Sequence, residues 1–141
     1  MSYQGFLIKI LGTGTTQDYT IPLTIMQEKT YHGVISTLDR DAYRDANGVL
    51  HRTAILQVPR ATFQTRALTS TQIGALWKNI QDRYTNALEK RVRATVYVSE
   101  LDAYMTQEFY VPDIDPTIDK IEHNIIKYEP VAMEFIGYGQ A

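Results

Sequence analysis

His32, His51 and His123 are the only three histidines, and histidine is the side chain that ordinarily exchanges a proton near neutral pH. A histidine base needs a hydroxyl, thiol or carboxylate partner in a recognisable frame, and none of the three sits in one. The chain lacks Gly-x-Ser-x-Gly and His-Glu-x-x-His, and the absence of cysteine removes thiolate nucleophiles, zinc-thiolate sites and disulfides together. A small hydrolase would have to pair His51 with Asp45, with loss of activity in His51→Ala as its signature. Glu28, Glu100, Glu108, Glu122 and Glu134 fall where strand alternation or loops account for them, although a glycosidase pair is defined by separation in space, which sequence leaves open. Gly12-Thr-Gly-Thr-Thr starts like a phosphate loop, but neither the closing Gly-Lys-Ser/Thr nor the third glycine of a dinucleotide fingerprint follows. Asp39, Asp41 and Asp45 with Asn47 resemble a calcium loop until Arg44 occupies the place of the required glycine and no glutamate closes it. Asp113, Asp115 and Asp119 could gather a cation, yet around Pro112 and Pro116 they read first as solvated loop carboxylates. The chemistry-bearing residues therefore predict no enzyme, no cofactor and no metal.

The elements that carry these residues are more informative. Asp39 to Ile55 reads as a long β-hairpin turning at Asn47-Gly48, a pair that tolerates the positive φ of a tight hairpin turn. Its arms run from Thr30 to Leu38 and from Val49 to Val58, with Ile55, Leu56 and Val58 entering the core. Around the turn stand Asp39, Arg40, Asp41, Tyr43, Arg44, Asp45, Asn47, Gly48, His51 and Arg52, a mixture of signs that no core accepts without partners. Such a ribbon must reach solvent or another subunit, so these ten residues are the expected oligomer interface.

The rest of the chain supplies a frame. Gly5 to Leu11 reads as a first strand, and Tyr19 to Ile25, interrupted by Pro22, as an edge segment or connection. Pro59 is expected to break the ladder, with a further β segment from Arg60 to Ala67 placing Phe63 inward. Ile73, Leu76, Trp77, Ile80 and Tyr84 recur at helical spacing behind a Thr69–Gln72 capping box, which predicts one helix over about residues 70–86 lying across a sheet. Lys78, Asn79, Asp82 and Arg83 mark its outward side, and Trp77 belongs to the stripe rather than to a ligand platform. Val92, Ala94, Val96 and Val98 alternate with polar partners and turn through Glu100–Ala103 into the strand Tyr104–Val111. Ile121–Lys127 and Val131–Tyr138 complete the set around a Glu129-Pro130 turn. The fold class is mostly β, a sandwich or barrel of antiparallel sheets with a long central hairpin and one flanking helix, in a single domain over residues 1–141. Fourteen basic against sixteen acidic residues give a net charge of -2, no footprint for nucleic acid or anionic lipid. No run approaches the roughly 18 apolar residues of a membrane span, and no leader pattern opens the chain, so folding in a cytosol-like compartment is expected. Ten tyrosines suit surfaces that are dry at one end of the ring and wet at the other, as at subunit contacts.

Four stretches carry a resemblance. Asp41 to Ile55, with Arg-Asp-Ala-Asn-Gly-Val-Leu-His-Arg-Thr-Ala-Ile at its heart, is similar to an Arg-Asn-Ala-Asn-Gly hairpin followed by a basic residue. Leu68 to Gln72 resembles a Pro-Leu-Thr helix entry, Gln107 to Pro112 a Lys-Thr-Phe-Tyr-Val strand, and Val131 to Gly137 stands where a last strand closes the sheet. Together, over most of residues 30–137, these resemble small tail structural proteins of long-tailed, siphovirus-type bacteriophages and prophages. The segment Gly12 to Lys29, within an extended stretch of about residues 12–30, is longer than that family's start. The resemblance implies a virion structural protein of the tail tube or the distal tail and baseplate, with a sandwich or barrel fold. It also implies self-association into a ring of hexameric symmetry, assembled in the bacterial cytoplasm beside tube, tape-measure or baseplate components. A module that recognises carbohydrate or host, stacking Tyr97, Tyr104 and Tyr110 on sugar rings, is the alternative.

Overall fold

The computed structural model describes residues 3–138, with the side chains of residues 36–42 and 51–57 outside that description. In chain order the elements are β1 (Ile8–Ile10), β2 (Tyr19–Thr20), β3 (His32–Arg44), β4 (Leu50–Gln64), α1 (Ser70–Gln81), β5 (Tyr84–Asn86), β6 (Arg91–Val98), β7 (Ala103–Tyr110), β8 (Ile118–Glu122), β9 (Ile125–Tyr128) and β10 (Ala132–Gly137). Eight strands form one antiparallel sheet in the order β2, β1, β6, β7, β10, β4, β3 with β5 beside β6, and β8 and β9 pair separately. The expected class, mostly β with one helix, is the one observed.

Alternation along β6 decides the core. Val92, Ala94, Val96 and Val98 are fully buried, while the residues between them stay partly exposed on the outer face. Ile8 and Ile10 on one side, Phe109 on β7, Met133 and Phe135 on β10, and Ala61 and Phe63 on β4 meet them in a continuous cluster. The sheet then curls back on itself. Along one edge of β6 the partners change from β5 at Val92 to β1 at Ala94–Val96, then to the Leu7 carbonyl at the Tyr97 amide. Last comes Gly33 of β3, whose carbonyl accepts from the Ser99 amide at 2.9 Å. That bond closes a small barrel through β6, β7, β10, β4 and β3, and closure removes the sheet edge within its span.

The helix packs Ile73, Leu76 and Ile80 onto the cluster, and Thr69 and Gln72 form the expected capping box, Thr69 N donating to Gln72 Oε1 at 3.0 Å. It ends at Gln81, short of residue 86. Tyr84 belongs to β5, where pairing with Val92 takes its backbone out of the helical path. Arg83 is correspondingly buried rather than outward: Nε donates to the Gln17 carbonyl at 2.7 Å and Nη1 to the Asn79 carbonyl at 2.8 Å, satisfying the last helical turn.

Other expectations change for local reasons. Pro59 lies inside β4 opposite Ile35. It is tolerated because β10 pairs with β4 only from Arg60 to Gln64, so Pro59 sits where that edge has ended. Tyr19 to Ile25 is only briefly extended, giving way after Pro22 to a 3₁₀ turn at Leu23–Ile25. The stretch Ile121–Lys127 is a hairpin rather than a strand, because His123 (φ 51°) and Asn124 (φ 63°) form its left-handed turn.

Candidate functional site

The β3–β4 hairpin is the largest feature that the barrel does not use. Below Arg60 neither β10 nor any other strand among the described residues pairs with β4, so from Ser36↔Val58 to Arg44↔Leu50 the two arms pair with each other alone. Two register shifts, between Leu38 and Asp39 and between Arg40 and Tyr43, interrupt the ladder. Such bulges increase twist and blunt the open edges.

The tip is a three-residue loop rather than the expected two-residue turn at Asn47-Gly48. The Asp45 amide donates to the Val49 carbonyl at 3.0 Å and the Gly48 amide to the Asp45 carbonyl at 2.9 Å. Only Gly48 is left-handed, at φ 81°. Asp45 Oδ1 accepts from the amides of Asn47 and Val49 at 2.9 and 3.0 Å, so this carboxylate organises the loop. Arg44 Nη1 donates to the Gly48 carbonyl at 2.9 Å. Of the expected interface, Tyr43, Arg44, Asp45, Asn47 and Gly48 thus gather at the tip. Asp39, Arg40, Asp41, His51 and Arg52 lie on the ribbon's backbone, with side chains outside the described residues. The expected interface omits two exposed residues of the tip, Val49 and Leu50, 53% and 47% exposed, at the end of the ribbon that also carries Tyr43 at 58%. An apolar pair directly after a polar turn was the available signal.

At the root of the same ribbon lies a cleft of about 320 Å³ lined by Tyr3, Leu7, Leu23, Glu28, Tyr31 and Tyr97, with Ser99 at its margin. Tyr31 Oη donates to the Tyr97 carbonyl at 2.5 Å, and burial pushes this phenol well above the ordinary tyrosine range, with the carbonyl bond partly offsetting it. Tyr97 Oη donates to Asp102 Oδ1 at 2.7 Å, and its ring meets Tyr3 and Tyr104 edge-on at 6.5 and 5.4 Å. Tyr104 Oη donates to the Phe6 carbonyl and accepts from the Gln4 amide, both at 2.8 Å, with the Phe6 ring 4.7 Å away. Two of the three rings considered for sugar stacking are therefore engaged by their own N-terminal segment, while Tyr110 remains 39% exposed. The partners are up to 100 residues apart in the chain, which hides the cleft from sequence patterns.

The other candidates resolve into structure. Gly12 N donates to Asp18 Oδ1 at 2.9 Å and Thr13 N to Thr16 Oγ1 at 2.9 Å, so the Gly12–Thr16 loop spends its amides internally and faces a carboxylate. Glu28, Glu108 and Glu134 pair with Arg66, Arg91 and Arg60 at 3.2, 3.1 and 2.6 Å. Glu122 pairs with Lys120, and Glu100 accepts from the Ile35 amide. Asp113 pairs with Lys90. Among the described residues no group of three metal-ligating side chains comes together, and no helix is long and apolar enough to cross a membrane. A second groove of about 450 Å³ runs past Lys29, His32, Thr62, Gln64, Met133 and Glu134.

The fold has a counterpart among solved structures. It matches a chain of a structure described as the tail of an empty GTA particle computed with helical refinement and C6 symmetry. The match has a TM-score of 0.52 at 12% identity and covers 96% of this chain and 92% of that one. The two share a fold. No curated protein matches the sequence. A family model matches residues 1–138, and the chain belongs to that family, the family of unknown function DUF6711.

Proposed function

We propose that this protein is a virion structural protein of a bacteriophage or prophage tail, acting by self-association into a ring as a tail-tube or distal-tail component. The observation that carries the reading is the β3–β4 ribbon, paired along neither outer edge beyond the barrel among the described residues and tipped by Tyr43, Val49 and Leu50. An isolated two-stranded ribbon is marginal in water, and fully burying one such apolar side chain contributes about 1.5–3 kcal/mol. A neighbouring copy supplies that burial at every subunit of a closed ring. The fold shared with a tail chain supports the setting, and the C6 symmetry stated for that particle suits a six-fold ring. In this reading the partners are further copies and neighbouring tube, tape-measure or baseplate proteins, the location is the virion, assembly occurs in host cytoplasm, and the chain has no catalytic role.

Removing Tyr43–Leu50 and joining the arms with a short glycine linker is expected to leave a folded barrel that sediments as a monomer. Negative-stain images showing rings unchanged from those of the full chain would refute the reading.

A further inference from the structure

Asn47 is exposed at the end of the ribbon and is the only one of the four asparagines that precedes a glycine. An asparagine carboxamide is open to attack by the backbone nitrogen of the residue that follows it, one reason asparagine is heat-labile. Glycine puts no side chain in the way: Gly48 stands at φ 81°, with nothing within 4 Å of where a Cβ would lie. The loop itself opposes the attack. The Gly48 amide, which is the attacking group, donates to the Asp45 carbonyl at 2.9 Å. Asp45 Oδ1 accepts from the Asn47 and Val49 amides on either side at 2.9 and 3.0 Å, and Arg44 Nη1 holds the Gly48 carbonyl at 2.9 Å. We infer that Asn47 is a site of spontaneous deamidation, with water as the co-reactant, and that opening of this loop sets its rate.

The chemistry balances with water alone. Gly48 N gives its proton to solvent and bonds to Asn47 Cγ, the Cγ–Nδ2 bond breaks, and Nδ2 takes a proton from solvent and leaves as ammonia. Water then opens the cyclic imide at either carbonyl, giving aspartate or the isomer whose main chain runs through Cβ. Either product adds a negative charge beside Asp45, on a chain of net charge -2. The isomer also adds one backbone atom inside the bonds from Gly48 N to Asp45 O and from Asp45 N to Val49 O, so the original loop cannot re-form. At the tip the two arms pair only with each other among the described residues, so opening is local and leaves the barrel folded.

The test follows residue 47 by peptide mapping that separates asparagine, aspartate and isoaspartate. The full chain is kept at mildly alkaline pH, dilute enough to be monomeric, so the result does not depend on self-association. Folded protein, urea-unfolded protein and Asp45→Ala are compared, with folding checked by circular dichroism and hydrogen exchange read at the Gly48 amide. Conversion is expected to be at least about tenfold slower in the folded protein than in the unfolded chain, with Asp45→Ala between them and exchange at Gly48 changing by the same factor, as a shared opening requires. No conversion in the unfolded chain would remove the site. Equal rates in folded and unfolded protein, or an Asp45→Ala protein as slow as its parent, would overturn control by the loop. If Asp45→Ala does not fold, the parent decides: a slowing of conversion that differs from the protection of its Gly48 amide overturns that control.

Discussion

Gly33 has room for a hydrogen and nothing larger. A Cβ there would lie 2.0 Å from the Tyr97 carbonyl oxygen and 2.9 Å from Tyr31 Oη, at the one place where β3 meets β6. Backbone cannot yield as a side-chain end can, so Gly33→Ala forces the barrel seam apart and breaks the bond from Ser99 N to Gly33 O. Overpacking of this kind costs about 3 kcal/mol. Chemical denaturation of Gly33→Ala, with Gly14→Ala as the control at a site with nothing within 4 Å, is expected to show the loss at position 33 alone. Nothing about Gly33 in the sequence announced this role. A glycine inside a strand signals close backbone approach, but which backbone approaches is settled 64 residues later in the chain, at Tyr97.

At the scale of the element, the helix shows what local pattern can and cannot specify. Its start was legible because a capping box is a contact between residues three apart, Thr69 and Gln72. Its end was not, because the stripe of apolar residues continues in register to Tyr84 while the backbone leaves to pair with β6. Arg83 holds that departure by binding carbonyls of Gln17 and Asn79 from a buried position. Arg83→Met keeps most of the apolar stem and leaves both carbonyls without their donor. Hydrogen bonds to a charged group are worth about 1.5–3 kcal/mol, so a loss of about 2 kcal/mol in thermal or denaturant unfolding is expected. An unchanged midpoint would show that water replaces the guanidinium. The ribbon is the opposite case: its existence and turn region were legible from Asn47-Gly48 and the charged arms, whereas the extra loop residue and the bulges were not, since bulges depend on pairing between arms.

For the molecule as a whole, burial of tyrosines ties stability to high pH. Tyr31 and Tyr84 are both pushed above the ordinary range by burial, and the Tyr84 hydroxyl has no hydrogen-bond partner among the described residues. An unfolded tyrosine loses its proton at about pH 10, while the folded chain retains these two beyond that point. Above the unfolded value the native state therefore binds more protons, and stability, fully present below about pH 10, falls as the pH rises further. The denaturation midpoint is expected to drop as the pH is raised from about 10 toward about 12, and to drop less in Tyr31→Phe. Equal pH dependence in the two proteins would remove Tyr31 from the account. With a net charge of only -2, long-range repulsion opposes association of copies weakly.

Sequence by itself determined what is written in short periods: strand alternation in Val92–Val98, the apolar helical stripe, the capping box and the charged hairpin. Those signals survive because side-chain direction repeats every two or 3.6 residues whatever the distant chain does. Tertiary structure alone decided the barrel seam at Gly33, the burial of Arg83, the place Pro59 could occupy and the tyrosine cleft built from Tyr3, Tyr31 and Tyr97. Each of these depends on atoms brought together by closure of the sheet. Closure is a property of how strands tilt and stagger against one another, and no residue carries it alone.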